Sequence, residues 1–290
     1  MSTKIAVVGT GKMGSAVARF LAGTGATVRA WNRSPAKVEP LVAHGVIAEA
    51  DAVDAITASD LIVLLVLDYG TAREVLDRVT GEDLAGRTIV GAMTGSSHDA
   101  IALAEYVHGR GGRYLDAALE MYPVNIGTRE GLINFGGDLD AWDEWRALLD
   151  PLAGTSVFLG TDPALPAYAD AALAGGFFNV AMGGFLEAAS FATRVGLSLE
   201  DLRPFVRVAL ALLEDHLLNH AIPAIDSGDF STDQATVAVY LRAVRIWREE
   251  MIAAGQRAGL MTANLHNLEI AESAGYGASA IYAEYLTSRA

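Results

Sequence analysis

The chain has no cysteine, which excludes disulfides and thiolate metal sites and fits a reducing, cytoplasmic setting. It also lacks any basic run, and with a formal net charge of −14 it is not expected to bind nucleic acid or an anionic membrane. No targeting segment is expected ahead of the first predicted strand. The most apolar stretch, residues 171–186, lies between Asp170 and Glu187 and is interrupted by Asn179 and several glycines. It is too short for a membrane span and is predicted to be a buried helix. Internal repeats and low-complexity segments are missing as well. What remains is a chain of 290 residues with 52% hydrophobic content, enough for one large or two moderate cores.

The first motif is KIAVVGTGKMG, residues 4–14. A short apolar run suits a buried parallel strand, and the helical spacing of SAVARFLAG follows it directly. Between them stand Gly9, Gly11 and Gly14 in GxGxxG spacing. Gly9 lets the chain turn, Gly11 lets the backbone approach a pyrophosphate, and Gly14 lets the helix sit close on the strand. The unpaired N–H groups at the helix start attract the anion. Lys12 and Met13 share that turn and are assigned to the same cofactor site.

A further absence makes the cofactor specific. Residues 26–31 read as a second strand, and folds that prefer NAD place an Asp or Glu at its end against the ribose 2′-hydroxyl. This chain has Asn32 there, followed by Arg33, Ser34 and Lys37. An acid would repel a 2′-phosphate, whereas Arg33 offers a planar fork of donors, Lys37 a point charge, and Asn32 and Ser34 neutral hydrogen bonds. These residues point to NADPH. The alternative is a solvated turn in which Ser34-Pro35 caps the next helix.

Helix and strand patterns then alternate to about residue 160: helices at 36–44, 50–58, 71–79 and 98–110, strands at 46–48, 61–67, 88–91 and 113–117. This is an α/β pattern with a parallel sheet and helices on both faces. Ligands belong beyond the carboxyl ends of its strands, in the loops carrying Leu67, Thr94 and Met121-Tyr122. Residues 161–163 mark a boundary, giving a Rossmann domain over 1–162 and a helical part over 163–290. Residues 165–195 read as one long helix, followed by helices at 199–219, 232–258, 263–273 and 278–287. So long and apolar a first helix is hard for one chain to cover, which predicts a homodimer with packed helical parts.

The run AVVGTGKMGSAVARFLAGTGATVRAWNRSPAKVEPLVAHGV resembles the N-terminal region of NADPH-dependent imine reductases, within the wider group of β-hydroxyacid and 6-phosphogluconate dehydrogenases. LLVLDYGTAREVL, MTGSS, YLDAALEMYPVNIGTREGLINFGG, FLGTDPALPAYADAA and AIDSGDFSTD look like further landmarks of that family, so the resemblance covers nearly the whole chain. It implies hydride transfer from NADPH to a C=N bond of a small imine or iminium substrate. It also implies a domain-swapped homodimer whose active sites are built from both chains. The family resemblance matches Asn32, Arg33, Ser34 and Lys37 to a phosphate clamp and Thr94 to a position beside the nicotinamide, where the alternative is helix capping.

Hydride reaches an iminium carbon far more readily than a neutral imine, so the site needs a proton source or an anion beside an apolar pocket. Hydroxyacid dehydrogenases of the group carry a Lys on the long helix, but residues 165–187 contain no Lys or Arg, which counts against a carboxylate substrate. The resemblance matches Asp170 to an early helix position of imine reductases. Their later Tyr or Asp falls on Phe178 or Asn179, and neither is a useful acid. At about 100° per residue, Asp170 and Asn179 are nearly opposite. Tyr122 or a bound water is therefore expected to supply the proton, with Asp170 stabilising the cation and Asn179 orienting it; capping is the alternative for Asp170. Met121, Phe178 and Tyr240 are assigned to the substrate pocket. His216 and His220 stand at i, i+4 spacing without an HExxH pattern, so no metal is expected. A hydroxyacid dehydrogenase and a non-catalytic NADP-binding protein are the alternative functions.

Overall fold

The computed structural model describes residues 3–80 and 84–289. An eight-stranded sheet forms from β1 (Lys4–Val8), β2 (Thr27–Trp31), β3 (Ile47–Ala48), β4 (Leu61–Leu64), β5 (Thr88–Gly91), β6 (Arg113–Glu120), β7 (Leu132–Gly137) and β8 (Thr155–Gly160), in the order β3-β2-β1-β4-β5-β6-β7-β8. All neighbours run parallel except β6 and β7, so the expected parallel sheet has one antiparallel pair. The order reverses between β1 and β4, the switch point at which such sheets bind ligands.

The apolar run of β1 is continuous because both faces are covered. Ile5 and Val7 join one core with Val17 and Leu21 of α1 (Lys12–Gly23) and Trp142 and Trp145 of α6 (Leu139–Leu149). Ala6 and Val8 join the other, with residues of α3 (Ala52–Thr57), α4 (Tyr69–Asp77) and α5 (Ser97–His108). Asp68 starts α4 by accepting the backbone N–H of Thr71 at 2.7 Å, and a Ser96–Asp99 capping box starts α5, worth about 1 kcal/mol per cap.

Several expected boundaries move. The helix expected over 36–44 is broken into a 3₁₀ turn, Pro35–Lys37, and the short α2 (Glu39–Val42), because Pro40 lacks a donor and disfavours the helical conformation before it. The strand expected over 61–67 stops at Leu64, and the one over 113–117 continues to Glu120. The α/β pattern ends with β8 at Gly160, and packing divides the chain between Phe177 and Phe178. The reason is that α7 (Leu165–Asp170) lies on β6 and β7.

From α7 the helix continues through a π-helical stretch, Ala171–Asn179, into α8 (Val180–Arg194). A π turn holds more residues than an α turn, so the 100° count that set Asp170 opposite Asn179 does not hold across it. By length and composition alone Leu165–Arg194 could cross a membrane, and its most apolar window is 0% buried. The buried helix expected over 171–186 is thus bare in the single chain. The second unit continues with α9 (Leu199–His216), α10 (Ile222–Ser227), α11 (Val237–Ala253), α12 (Gly259–Ala271) and α13 (Glu284–Thr287), around a small core of Val237, Val244, Leu265, Leu268 and Ala271. The helix expected over 232–258 is shorter, since Thr236 caps its start and Gly255, at φ +79°, ends it.

Candidate active site

Each glycine of the first loop has a separate job. Gly9 has φ +96°, a conformation open to glycine, and a Cβ there would overlap the carbonyl of Leu65. A Cβ at Gly14 would overlap the carbonyl oxygen of Gly9, so the helix can approach the strand only without one. At Gly11 a Cβ would meet nothing within 4 Å. That open side lies beside the start of α1, whose N-cap makes no side-chain hydrogen bond, leaving N–H groups for an anion. A dinucleotide pyrophosphate fits this cradle.

Asn32 ties the loop to the end of β2. Its Oδ1 accepts the Thr10 N–H at 3.1 Å, and its Nδ2 donates to the Ser34 carbonyl at 3.1 Å. Ser34 makes no side-chain cap bond to the following turn, so the capping alternative is not realised and its hydroxyl is available. Arg33, Ser34 and Lys37 are all exposed, and among the described residues no ion pair is formed by Arg33 or Lys37. A 2′-phosphate fits these donors.

Beyond the strand ends lies a cavity of about 300 Å³, lined by Met13, Leu67, Met93, Thr94, Leu119 and Asp170 among others. It gathers the start of α1, the loops after β4 and β5, the end of β6 and the last residue of α7. Thr94 does not cap α5, since Ser96 does. It is left facing the cavity.

Behind this wall the same face of β6 presents Asp116, Ala118 and Glu120, because side chains alternate along a strand. Asp116 is buried and accepts the hydroxyls of Tyr69 at 2.8 Å and Tyr114 at 2.7 Å. Burial raises its carboxyl to about 7 against the lowering effect of both hydroxyls. The ring of Tyr69 fills the space a Cβ at Gly95 would need. Glu120 is raised as well, first by burial and then by the neighbouring Asp170 carboxyl. Neither Asp116 nor Glu120 stands out in the sequence as a site residue. The signal was the alternation in YLDAALE, which continues past residue 117.

Tyr122 is 67% exposed at the start of a 3₁₀ turn, Pro123–Asn125, and does not line this cavity. Met121 packs against the other core, its sulfur beside Gly131. In the second unit, Phe178 and Asn179 are exposed on the long helix. Tyr240 lines a separate polar cavity of about 690 Å³ with His216, His220, Asp229, Gln234 and Tyr282. His216 Nδ1 lies 2.7 Å from the Tyr282 hydroxyl, and His220 Nε2 lies 3.6 Å from Asp215. A Cβ at Gly175 or Gly176 would meet only the helix's own carbonyls, at 3.8 and 3.4 Å, so close packing does not account for that pair within the chain. Among the described residues no group of three or more His, Asp or Glu side chains could hold a metal.

Two family models match. Residues 4–160 fit the NAD binding domain of 6-phosphogluconate dehydrogenase. Residues 134–287 fit the C-terminal domain of NADPH-dependent reductive aminase-like proteins. A curated NADPH-dependent reductive aminase from Aspergillus oryzae is 29% identical over 88% of this chain and 85% of its own length. The solved structure of an imine reductase from Pseudomonas sp. superposes with a TM-score of 0.92 at 30% identity, covering 99% of this chain and 100% of that one. A reductive aminase from Aspergillus terreus, solved with NADPH and ethyl levulinate, gives a TM-score of 0.91 at 26% identity over 100% of both chains.

Proposed function

The chain belongs to the imine reductase and NADPH-dependent reductive aminase family, and on that premise we propose that it reduces the C=N bond of imines and iminium ions to amines with NADPH. The observation that carries this is the whole-chain likeness to an imine reductase, 99% of the chain at 30% identity. NADPH, when bound, supplies the hydride. The chain's residues do the rest.

Gly9, Gly11, Lys12, Met13 and Gly14 hold the pyrophosphate, and Asn32, Arg33, Ser34 and Lys37 hold the 2′-phosphate. Leu67 and Thr94 line the nicotinamide end. Asp170 at the cavity favours a cationic carbon–nitrogen centre by charge. With no Lys or Arg over residues 165–187, a carboxylate substrate finds no cation on that helix, which disfavours a hydroxyacid. Tyr122, Asn179, Met121, Phe178 and Tyr240 are the further substrate-side residues of this reading. The exposed hydroxyl of Tyr122 is one proton source.

The proposed active unit is a cytoplasmic homodimer that exchanges its helical parts, residues 163–290. The bare apolar face of the long helix supports it, because exposed apolar surface of that extent marks an interaction site. Following NADPH absorbance with a cyclic imine such as a pyrroline, and NADP⁺ reduction with small hydroxyacids, tests the reading. We expect NADPH oxidation with the imine and no reaction with the hydroxyacids. The reverse result, or no turnover of either, overturns it.

A further inference from the structure

We propose that Glu120 is a positioning residue that shares one proton with Asp170 across the edge of the cavity and keeps Asp170 supplied with the proton an uncharged imine needs. The proposal rests on the imine-reducing function above and adds a residue and a substrate distinction to it.

The geometry begins with the strand. Glu120 ends β6 on the face that carries Asp116, and pairs with Leu132 of β7. The last residue of α7, Asp170, lies over that strand end with its carboxyl against Glu120's, and Asp170 itself lines the cavity. Glu120 Oε1 is buried without a hydrogen-bond partner. On the same face Asn134, 3% exposed, sits opposite Ala118 and diagonal to Glu120, and its Nδ2 is likewise buried and unpartnered. The orphaned amide donor and the orphaned carboxyl oxygen thus lie on one sheet face at diagonal positions, and buried polar atoms left unpaired mark a site with a task beyond packing.

Burial first, and then the neighbouring Asp170 carboxyl, disfavour the charged form of Glu120, so Glu120 holds its proton above the usual carboxylate range. On the same strand face stands Asp116, which accepts the hydroxyl of Tyr69. Among the described residues no cation contributes to holding Glu120 ionised.

With one proton the pair meets both kinds of substrate. For an uncharged imine, the shared proton passes from Glu120 to Asp170, and the O–H bond of Asp170 breaks as the N–H bond of the iminium forms. The pair is then doubly negative beside the cation it has made, and solvent returns the proton after the amine leaves. For a preformed iminium no proton moves, and the single negative charge of the pair stabilises the cation. This accounts for a helix that carries Phe178 and Asn179 where relatives are expected to have an acid.

The test uses the full-length protein and Glu120→Gln, which keeps a hydrogen-bonding group of the same size. On a weakly basic cyclic imine we expect kcat/KM to fall by roughly tenfold or more, while reduction of an N-alkyl iminium stays within about twofold. In the unmutated protein the imine rate should fall as pH rises through the raised titration of Glu120, and in Glu120→Gln that fall should disappear. Independently of activity, carboxyl-carbon NMR should show Glu120 titrating above the usual carboxylate range, and Asp170→Asn should bring it down. An ordinary Glu120 titration that ignores Asp170→Asn overturns the proposal, as does an unchanged imine rate and pH profile in Glu120→Gln. If Tyr122→Phe rather than Glu120→Gln removes imine reduction, Tyr122 is the source and the proposal falls. Should the unmutated protein reduce neither substrate, the functional reading fails while the NMR titration still decides the proton sharing.

Discussion

Asn32 Oδ1 accepts the backbone N–H of Thr10 at 3.1 Å, so the residue that replaces the usual acid at the end of β2 also braces the glycine loop. Cofactor selectivity and loop shape are thereby joined at one side chain. Asn32→Asp keeps the acceptor for Thr10 but brings a negative charge to the 2′-position. It should shift the ratio of kcat/KM values from NADPH toward NADH. Arg33→Ala should raise the KM for NADPH ten- to a hundredfold, since a charge-assisted hydrogen bond contributes about 1.5–3 kcal/mol, and leave that for NADH nearly unchanged. Equal use of both cofactors by the unmutated protein would contradict the phosphate role.

The three loop glycines should separate in a thermal and a binding measurement. Gly11→Ala meets no atom within 4 Å, so its melting temperature should match the parent while NADPH binding weakens. Gly14→Ala forces a Cβ into the Gly9 carbonyl and should lose about 1–3 kcal/mol or more of stability. Equal stability of the two variants would show that α1 can move away from β1 freely.

Asp116 predicts a pH dependence of stability with a definite sign. Its folded carboxyl stands at about 7 against an ordinary 3.8, so the folded state holds the proton more tightly. The stabilisation is complete below the ordinary value and is lost as pH rises through the folded one. Asp116→Asn keeps an acceptor for Tyr69 and Tyr114 without titrating. Its stability relative to the parent should therefore climb between those two values by up to ~1.4 kcal/mol per pH unit. Denaturant unfolding at several pH values measures this, and parallel curves would refute it.

The bare helix makes the assembly testable. Light scattering should give twice the chain mass of 30.5 kDa. Leu186, 60% exposed on α8, carries the apolar face, and Leu186→Glu should yield monomers that bind NADPH but reduce no imine. A monomer with full activity would defeat the shared-site proposal.

Asp170→Ala should impair reduction of both imine and iminium, because among the described residues Asp170 is the one acid that lines the cavity. If both rates survive, Asp170 has no part in charge stabilisation.

Much of the first unit was legible because its signals are local. Gly9, Gly11 and Gly14 announce a strand, a turn and a helix by spacing alone, and Asn32 falls at a fixed distance after them. The helix break at Pro40 was also written locally, yet the apolar periodicity around it hid the break. Glu120 was obscured for a different reason: strand length depends on the partner strand β7, whose antiparallel pairing extends β6 to residue 120.

The sequence by itself determined the α/β alternation, the glycine cradle and the absence of acid beside the ribose, since each depends on residues near in the chain and on backbone chemistry that context rarely overrides. Only the tertiary structure decided which carboxyls meet. Asp170 and Glu120 are distant in sequence, and they come together because α7 packs across β6 and β7. The π-helical stretch that follows was equally hidden, because helical pitch at Ala171–Asn179 answers to packing rather than to any residue pattern within it.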